Sequence, residues 1–448
     1  MQARSNPDVI VAIATPAGRG GIGVVRISGT NLTFFCQEIL RQIPAPRHAT
    51  YAPFYDIDGL VIDQGVAILF EHPHSFTGEN VLELQGHGGP AVLQLLLARC
   101  LSLGARLANP GEFTQRAFLN GKIDLVQAES VADLIGATSA QAARSALRSL
   151  QGGFSTGINS LVAKLIELRA FAEATLDFPE EEIDLSDLTW QKNQLIQIKQ
   201  ELNQIFLQAQ QGSILREGAN IALFGQPNVG KSSLLNALAE EDIALVSDVP
   251  GTTRDSIQQA INIRGVPIHL VDTAGVRETN DTVEKMGLER TRRAVTKADL
   301  VLWLRDVRCL EQEDDLEISD MLPIETPRLV IFNKIDLFEL PPKIERFPDE
   351  VRIFLSVKTG DGLDLLRDTI LEMVGWHGES GVYMARQRHL DALAFAKQSL
   401  LRAEEQIISH EIFAEELRGA SDALSEITGE FSADDLLGEI FGKFCIGK

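Results

Sequence analysis

Four short motifs stand in a fixed order in the middle of this chain, and they limit its fold more than any other feature. They are GQPNVGKSS (225–233), GTTRD (251–255), DTAG (272–275) and NKID (333–336). Each motif alone is common in turns. In this order, and between short apolar runs and helical patterns, they indicate an α/β domain with a guanine-nucleotide site.

The first motif has the spacing of a phosphate-binding loop. The apolar run 220–225 predicts a buried strand before it. Glycines let backbone N–H groups turn toward the phosphates, Lys231 reaches the β- and γ-phosphates, and the Ser232 hydroxyl binds Mg²⁺. The alternative is a chance GKS in a glycine-rich turn, and the amphipathic helix that follows counts against it. The predicted contacts of this loop are Asn228, Val229, Gly230, Lys231, Ser232 and Ser233.

The two middle motifs predict the Mg²⁺ side of the site. The segment 261–275 predicts two strands around a tight turn, and the second strand ends at Asp272. We expect the Asp272 carboxylate on the Mg²⁺ side and the Gly275 N–H near the γ-phosphate. Thr253 is a candidate hydroxyl that closes over Mg²⁺ when the γ-phosphate is present.

The fourth motif predicts that the base is guanine. The Asp336 carboxylate can accept hydrogen bonds from N1 and N2 of guanine, a donor pair that adenine lacks. We expect Asn333 to anchor N7 and the loop, and the Lys334 stem to cover the ring. A later loop completes the base contacts with Ser356, Val357 and Lys358. Within it, the Val357 N–H is the candidate donor to the guanine O6.

One residue departs from the common pattern of small GTPases. Val276 stands where a glutamine usually orients the attacking water. Asn228 can instead supply a side-chain oxygen to a monovalent cation, whose charge stabilises the transition state beside the phosphates. Glu284 can orient the water if its segment closes. The alternative for Glu284 is a carboxylate on a solvated helix face, and the chemistry alone favours that alternative.

Composition narrows the class of protein. The chain has 448 residues and a formal net charge of −22, so we do not expect a broad nucleic-acid-binding surface. The longest apolar stretch, 91–108, carries a glutamine and two arginines and predicts a core helix rather than a membrane span. The N-terminus lacks the pattern of a signal peptide. The cysteines form no CxxC pair, which argues against structural zinc and for a reducing compartment, the cytosol. They are Cys36, Cys100, Cys309 and Cys445.

The flanking regions predict an α/β plus all-α protein with four segments. Residues 1–119 alternate β-rich and helical runs, which predicts an N-terminal α/β domain. Residues 120–215 and 378–448 follow helical spacing, and 216–377 hold the nucleotide motifs. We expect a discontinuous helical domain into which the P-loop domain is inserted at an exposed loop.

Motifs outside the P-loop domain carry a resemblance over the whole chain. They are TPAGRGGIGVVRISG (15–29), SFTGENVLELQGHGG (75–89), NPGEFTQRAFLNGKIDLVQAE (109–129), DFPEEEID (177–184), SEITGEF (425–431) and the terminal FCIGK. Together with the nucleotide motifs, they closely resemble the MnmE/TrmE family of bacterial and organellar tRNA-modification GTPases. Two departures are small: Pro250 stands where small residues are common, and the guanine loop reads SVKTG for SAKTG.

The resemblance implies a Ras-like P-loop GTPase domain that uses Mg²⁺ and is activated by K⁺ when two such domains meet. The GTP contacts then extend over two loops, with Ser247, Asp248, Val249, Pro250, Gly251, Thr252 and Thr253 in the first and Asp272, Thr273, Ala274 and Gly275 in the second. The K⁺ ligands fall on Asn228, Ser247, Val249 and Thr252, and the Mg²⁺ ligands on Ser232 and Thr253. The implied catalytic residues are Lys231, Glu284 as the water-orienting carboxylate, and Cys445.

The resemblance also implies a folate-binding-like N-terminal domain that joins two copies into a homodimer. It is expected to bind 5-formyltetrahydrofolate or a related tetrahydrofolate through Arg26, Glu83, Lys122 and Lys448. With an FAD-containing partner of the MnmG/GidA type, in an expected heterotetramer, the family modifies C5 of the wobble uridine of certain tRNAs. The group added is aminomethyl or carboxymethylaminomethyl, and no membrane is involved.

Two other functions stay open. One is a ribosome-assembly switch that binds RNA and uses GTP as a timer, against which the acidic balance counts. The other is a folate-binding scaffold with a vestigial GTPase, which the intact Lys231, Asp272 and Asp336 disfavour.

Overall fold

The computed structural model describes residues 8–177, 185–226, 228–239, 258–272, 298–310, 326–348, 350–378, 381–429, 434–442, 444 and 447. The chain divides into two compact units. The first contains Met1–Ala132, Leu150–Glu173 and Ala414–Lys448, and the second contains Asp133–Ser149 and Ala174–Phe413. The predicted mixture of α/β and all-helical regions is confirmed. The four segment boundaries and the folate-binding character of the N-terminal region stay predictions.

The described elements run in the following order along the chain. The strands are β1 Ile10–Ile13, β2 Gly20–Gly29, β3 Thr50–Tyr55, β4 Val61–Phe70, β5 Asn80–Gly88, β6 Arg106–Leu107, β7 Ala219–Gly225, β8 Gln258–Ile263, β9 Val266–Asp272, β10 Leu300–Asp306, β11 Arg328–Asn333, β12 Lys343–Arg346 and β13 Val351–Phe354. The helices are α1 Thr33–Leu40, α2 Pro90–Ser102, α3 Glu112–Leu119, α4 Leu125–Gly136, α5 Ala140–Leu150, α6 Gly153–Asp177, α7 Leu185–Glu217, α8 Lys231–Ala239, α9 Leu363–Met373, α10 Gln387–Glu405, α11 His410–Thr428 and α12 Asp434–Gly442. None of the described helices is both long and apolar enough to cross a membrane.

The first unit is built on a six-stranded sheet with the order β3-β4-β5-β2-β1-β6. Its pairs are antiparallel except β1 with β6. Along β2, Val25 and Ile27 are buried in the core that α1 and α2 share with the sheet. Arg26 lies between them and is the direct neighbour of Glu83 in β5. Because successive strand residues point to opposite faces, both side chains lie on the face away from this core.

Helix α2 covers only the first part of the apolar stretch 91–108. The helix ends at Ser102, because Gly104 adopts a φ of +98° and the chain then turns into β6 beside β1. Within the helix, Leu96 and Cys100 are fully buried. The prediction of a core helix is therefore confirmed for its first part and wrong for the residues after Ser102.

The second unit contains a seven-stranded sheet with the order β12-β13-β11-β10-β7-β9-β8. The five central strands are parallel, and β12 and β8 join the two edges antiparallel. The strands predicted before the first and fourth motifs and around the turn in 261–275 are all present. Since the parallel strands share one direction, the carboxyl ends of β7, β10, β11 and β13 meet at one edge, where nucleotide sites form.

One carboxylate binds both chain segments that flank this sheet. Asp133 of α4 has a nearly buried side chain, and its Oδ1 accepts from Arg216 Nε at 3.0 Å and from Arg386 Nη2 at 3.1 Å. Arg216 lies just before β7, and Arg386 lies directly before α10. The start and the end of the P-loop module are thereby held by the same residue.

A second charged cluster lies beside β6 in the first unit. Glu112 is only 4% exposed, and its carboxylate accepts hydrogen bonds from Arg106 at 2.6 and 2.8 Å and from Arg116 at 2.9 Å. Burial raises the pKa of Glu112, but the hydrogen bonds from Arg106 and two further donors outweigh it and lower that pKa from 4.5 to about 2. The carboxylate is therefore ionised over the whole physiological range.

We expect Glu112→Gln to lower the free energy of unfolding by about 2 kcal/mol at pH 7, because it weakens the charge-assisted hydrogen bonds from Arg106 and Arg116. Arg116 keeps Glu79 and Asp8 as counter-ions, which limits the loss. The folded-state pKa of Glu112 lies below its unfolded value. This stabilisation is therefore present above pH 4.5 and disappears as the pH falls toward 2. Urea unfolding of both proteins between pH 7 and pH 3 measures the difference.

The control is Glu415→Gln, which removes an exposed ion pair with Arg418 on α11. It should change stability by less than about 0.5 kcal/mol. A Glu112→Gln effect that stays constant across this pH range would contradict the assignment.

Candidate functional site

The P-loop joins the end of β7 to the start of α8. Asn228 adopts a left-handed conformation with φ of +64°, and Gly230 has φ of +104°. A side chain at Gly230 would place its Cβ 2.6 Å from Nδ2 of Asn333, so glycine is required there. The Lys231 ammonium donates to the Gly225 carbonyl, which folds the lysine back over the loop. Ser232 and Ser233 are exposed in the first turn of α8, where backbone N–H groups favour phosphate oxygens.

Asn333 connects this loop to the base-reading segments. Its side chain is 4% exposed. Its Nδ2 donates to the Val229 carbonyl at 2.8 Å, while its Oδ1 accepts the N–H groups of Lys334 at 2.8 Å and Val357 at 3.0 Å. Asn333 therefore anchors the loop as expected, and its contact with the guanine N7 stays a prediction. The Val357 N–H, which we expected to meet the guanine O6, is instead bound to Asn333 in this structure.

The carboxylate of Asp336, which the sequence predicts to read the base, is held by the loop that follows β13. The buried Ser356 hydroxyl donates to Asp336 Oδ1 at 2.7 Å and also accepts the Thr359 N–H at 3.3 Å. This orients the Asp336 carboxylate at the carboxyl edge of the sheet. Lys358 follows in the same turn. A fixed carboxylate at this position can accept the paired N1 and N2 donors of guanine.

The sequence did not point to Asp306, which lies in the same site. It ends β10 opposite Asn333 of β11 and accepts a hydrogen bond from Lys334 Nζ at 2.8 Å. Lys334 Nζ also donates to the Asn228 carbonyl at 2.9 Å. The hydrogen bonds of Arg308, followed by that of Lys334, hold the pKa of Asp306 well below its ordinary value. In the sequence, Asp306 is marked only as a single acidic residue at the end of an apolar run, which does not by itself indicate a site.

Several predicted residues lie outside the described part of the chain. They are Ser247, Asp248, Val249, Pro250, Gly251, Thr252, Thr253, Thr273, Ala274, Gly275, Val276, Glu284, Cys445 and Lys448. The backbone of Asp272 ends β9, paired in parallel with β7 at Leu223. Its predicted place at the carboxyl end of the second strand of the hairpin is therefore confirmed.

A second group of predicted residues lies in the first unit. Arg26 and Glu83 form an ion pair, with Nη2 and Oε1 2.9 Å apart, and Gln85 Nε2 donates to the other Glu83 oxygen at 3.2 Å. The Arg26 guanidinium also lies 6.0 Å from the ring centre of Phe76, which is 40% exposed. The sequence did not point to this aromatic ring.

Lys122, in the turn after α3, approaches the same loop. Its ammonium donates to the Pro73 carbonyl at 3.0 Å, and its stem packs beside Gly78. The loop between these contacts contains Phe76. Arg26 and Lys122 therefore touch one loop, and the structure shows no direct contact between their described side chains.

The similarity of this chain to known proteins extends over nearly its whole length. A family model described as the MnmE helical domain matches residues 125–445, and one described as the N-terminus of the GTP-binding protein TrmE matches residues 9–122. A tRNA modification GTPase MnmE from Nitrosomonas europaea is 56% identical, over 98% of this chain and 99% of the relative. The MnmE of Nitrosomonas eutropha is 57% identical, over 99% and 100%. Among solved structures, Era of Aquifex aeolicus bound to GDP and AlF4⁻ is 26% identical over 40% of this chain and 66% of that chain, with a TM-score of 0.27.

The base-reading role of Asp336 can be tested by a change of nucleotide. Asp336→Asn should weaken GDP binding by about 100-fold, because charge-assisted hydrogen bonds to N1 and N2 contribute about 1.5–3 kcal/mol each. It should strengthen xanthosine diphosphate binding, since the new amide can donate to the xanthine C2 carbonyl. Titration with fluorescent diphosphates measures both dissociation constants.

The control is Asp364→Asn, which alters a carboxylate that is 80% exposed in the first turn of α9. Its GDP affinity should equal that of the wild type. An Asp336→Asn protein that keeps its preference for GDP would contradict the assignment.

Proposed function

This chain belongs to the MnmE family of tRNA modification GTPases, and on that basis we propose that it is a potassium-activated GTPase that modifies C5 of the tRNA wobble uridine. The observation that supports the proposal most is the 56% identity to an MnmE protein over 98% of the chain. In the proposed reaction, an FAD-containing partner of the MnmG/GidA type takes part, and a tetrahydrofolate supplies the one-carbon unit.

The GTPase part rests on the P-loop and the guanine loop. Lys231 is placed over the P-loop backbone, and Ser232 is exposed beside it, so the pair suits a triphosphate with its Mg²⁺. When bound, Mg²⁺ neutralises charge on the β- and γ-phosphates. We assign Thr253 as its second ligand and Glu284 as the residue that orients water, since Val276 cannot do so.

The potassium part rests on Asn228. Its backbone carbonyl already accepts the Lys334 ammonium, so its side-chain oxygen is the group that can bind a monovalent cation. Asn228 is exposed on the P-loop, which suits a cation shared with a facing loop. We assign Ser247, Val249 and Thr252 to that loop. A positive charge there would act on the transition state as an arginine finger does.

GTP hydrolysis should be at least about tenfold faster in K⁺ than in Na⁺, which corresponds to about 1.4 kcal/mol of barrier. Asn228→Ala should remove this difference while keeping GDP affinity. The measurement is phosphate release at equal ionic strength in the two salts.

The control is Asn236→Ala, an exposed asparagine on α8 that should keep the salt preference. Equal wild-type rates in K⁺ and Na⁺ would remove the cation mechanism. The GTPase assignment itself would then still stand on nucleotide binding.

The folate part rests on the pair formed by Arg26 and Glu83. A pterin ring presents an amino group and an adjacent ring N–H, which a carboxylate can accept as Asp336 accepts guanine. Glu83 is 16% exposed and oriented by Arg26 and Gln85, so it suits that role. The Phe76 ring beside Arg26 offers an apolar face for the pterin. We assign Lys122 and Lys448 to the anionic tail of 5-formyltetrahydrofolate.

The assembly and the location complete the proposal. We propose a homodimer joined through the N-terminal domain, a heterotetramer with the FAD-containing partner, and a cytoplasmic location. The terminal Cys445 is a candidate for the modification step.

Cells that lack this protein should lose the C5 modification of wobble uridine, and Arg26→Ala should fail to restore it. GTP hydrolysis by the purified variant should persist, because Arg26 belongs to the other compact unit. Mass spectrometry of tRNA nucleosides measures the modification.

Arg41→Ala changes an exposed arginine of the same unit and should restore the modification fully. Unchanged wobble uridines in the deletion strain would refute the tRNA function and favour a switch role.

A further inference from the structure

Asp306 is a nearly buried carboxylate at the carboxyl edge of the seven-stranded sheet. It forms ion pairs with two basic side chains, Lys334 and Arg308. Its side chain is 8% exposed. Oδ2 accepts from Lys334 Nζ at 2.8 Å and from Arg308 Nη2 at 2.7 Å. Oδ1 accepts from the Arg308 side chain at 2.9 Å and from its backbone N–H at 3.0 Å. Arg308 therefore binds both oxygens, whereas Lys334 binds Oδ2 and the backbone N–H of Arg308 binds Oδ1.

The bond to Lys334 fixes a side chain that would otherwise be mobile. The ammonium bridges Asp306 and the P-loop carbonyl of Asn228, which it meets at 2.9 Å. The backbone of Lys334 itself is left-handed, with φ of +73°. A free lysine side chain has about 2 kcal/mol of rotamer entropy to lose on binding. Here the Lys334 side chain is already ordered before the nucleotide binds.

We propose that Asp306 is a positioning residue for the guanine nucleotide, which places the Lys334 stem over the purine site and holds its ammonium on the P-loop. This role deepens the GTPase function proposed above and depends on its guanine site only. The potassium, folate and tRNA steps do not enter it. The geometry assigns no contact between Asp306 and the nucleotide.

A purely structural role is the competing explanation. Asp306 is also the N-cap of the short 3₁₀ helix Val307–Cys309, through the bond from the Arg308 N–H to Oδ1. The two roles use different oxygens and can be separated. Asparagine keeps one oxygen for the cap but replaces the other by an NH₂ group, which cannot accept a hydrogen bond from Lys334.

Asp306→Asn should therefore weaken GDP binding by about tenfold, mainly through faster dissociation of GDP, because the preorganised lysine is lost. Thermal unfolding of the nucleotide-free protein should shift downward for Asp306→Asn and for Arg308→Ala alike, because each variant removes charge-assisted hydrogen bonds of this carboxylate, whereas only Asp306→Asn should lose GDP affinity. Stopped-flow measurements with a fluorescent GDP analogue give both rate constants. Asp306→Ser is the second variant, because serine caps helices well but is too short to reach Lys334.

Arg308→Ala is the matched control. Its side chain is 59% exposed, and its removal leaves the bond between Asp306 and Lys334 in place. GDP affinity should stay within about twofold of the wild type. Arg308 also bonds both Asp306 oxygens, so this variant removes a partner of the same carboxylate.

A double-mutant cycle decides between the two explanations. If Asp306 acts through Lys334, the pair Asp306→Asn with Lys334→Ala should bind GDP no more weakly than Lys334→Ala alone. Additive losses, or wild-type affinity of Asp306→Asn, would overturn the proposal. GDP binding by the wild type reports the guanine site itself, whereas the ratio between variant and wild type reports Asp306.

Discussion

The nucleotide site depends on the buried side-chain amide of Asn333. It accepts the N–H groups of Lys334 and Val357 and donates to the P-loop carbonyl of Val229. Removing the amide would take a hydrogen bond from three backbone groups, one buried and two partly buried, and a buried group left unpaired costs about 1–3 kcal/mol. The Asn333 amide therefore stabilises the P-loop and the loops of Lys334 and Val357 in one fixed arrangement. Asp336 and Lys231 keep their relative positions because this amide joins their loops.

The parallel sheet explains why that amide can reach all three segments. The strands β7, β10, β11 and β13 end at the same edge, so motifs far apart in sequence become neighbours. Asp306 and Asn333 stand opposite each other in register, which brings Lys334 between them and the P-loop. In the six-stranded sheet of the first unit, a different feature brings the candidate site residues together. There the alternation along antiparallel strands pairs Arg26 with Glu83 on the face away from the core.

Much of the P-loop domain could be predicted because its signals are local. A strand, a glycine-rich loop and a helix follow within a few residues, and the spacing of Gly225, Lys231 and Ser232 reflects contacts made by adjacent backbone groups. The bonds of Asp306 to Lys334 and of Glu112 to Arg106 could not be predicted in this way. They join positions whose side chains meet only after strands pair, and an isolated acidic residue carries no periodic signal.

The amino-acid sequence by itself predicted GTP as the nucleotide, because the Asp336 carboxylate, in this order of motifs, suits the paired donors of guanine. It also determined the family, since the motifs outside the P-loop domain extend over the whole chain. Only the tertiary structure decided which groups hold those residues in place. Ser356 orients Asp336, and Asp306 orients Lys334. These partners depend on strand register and burial, which arise when distant segments pack and which local spacing does not encode.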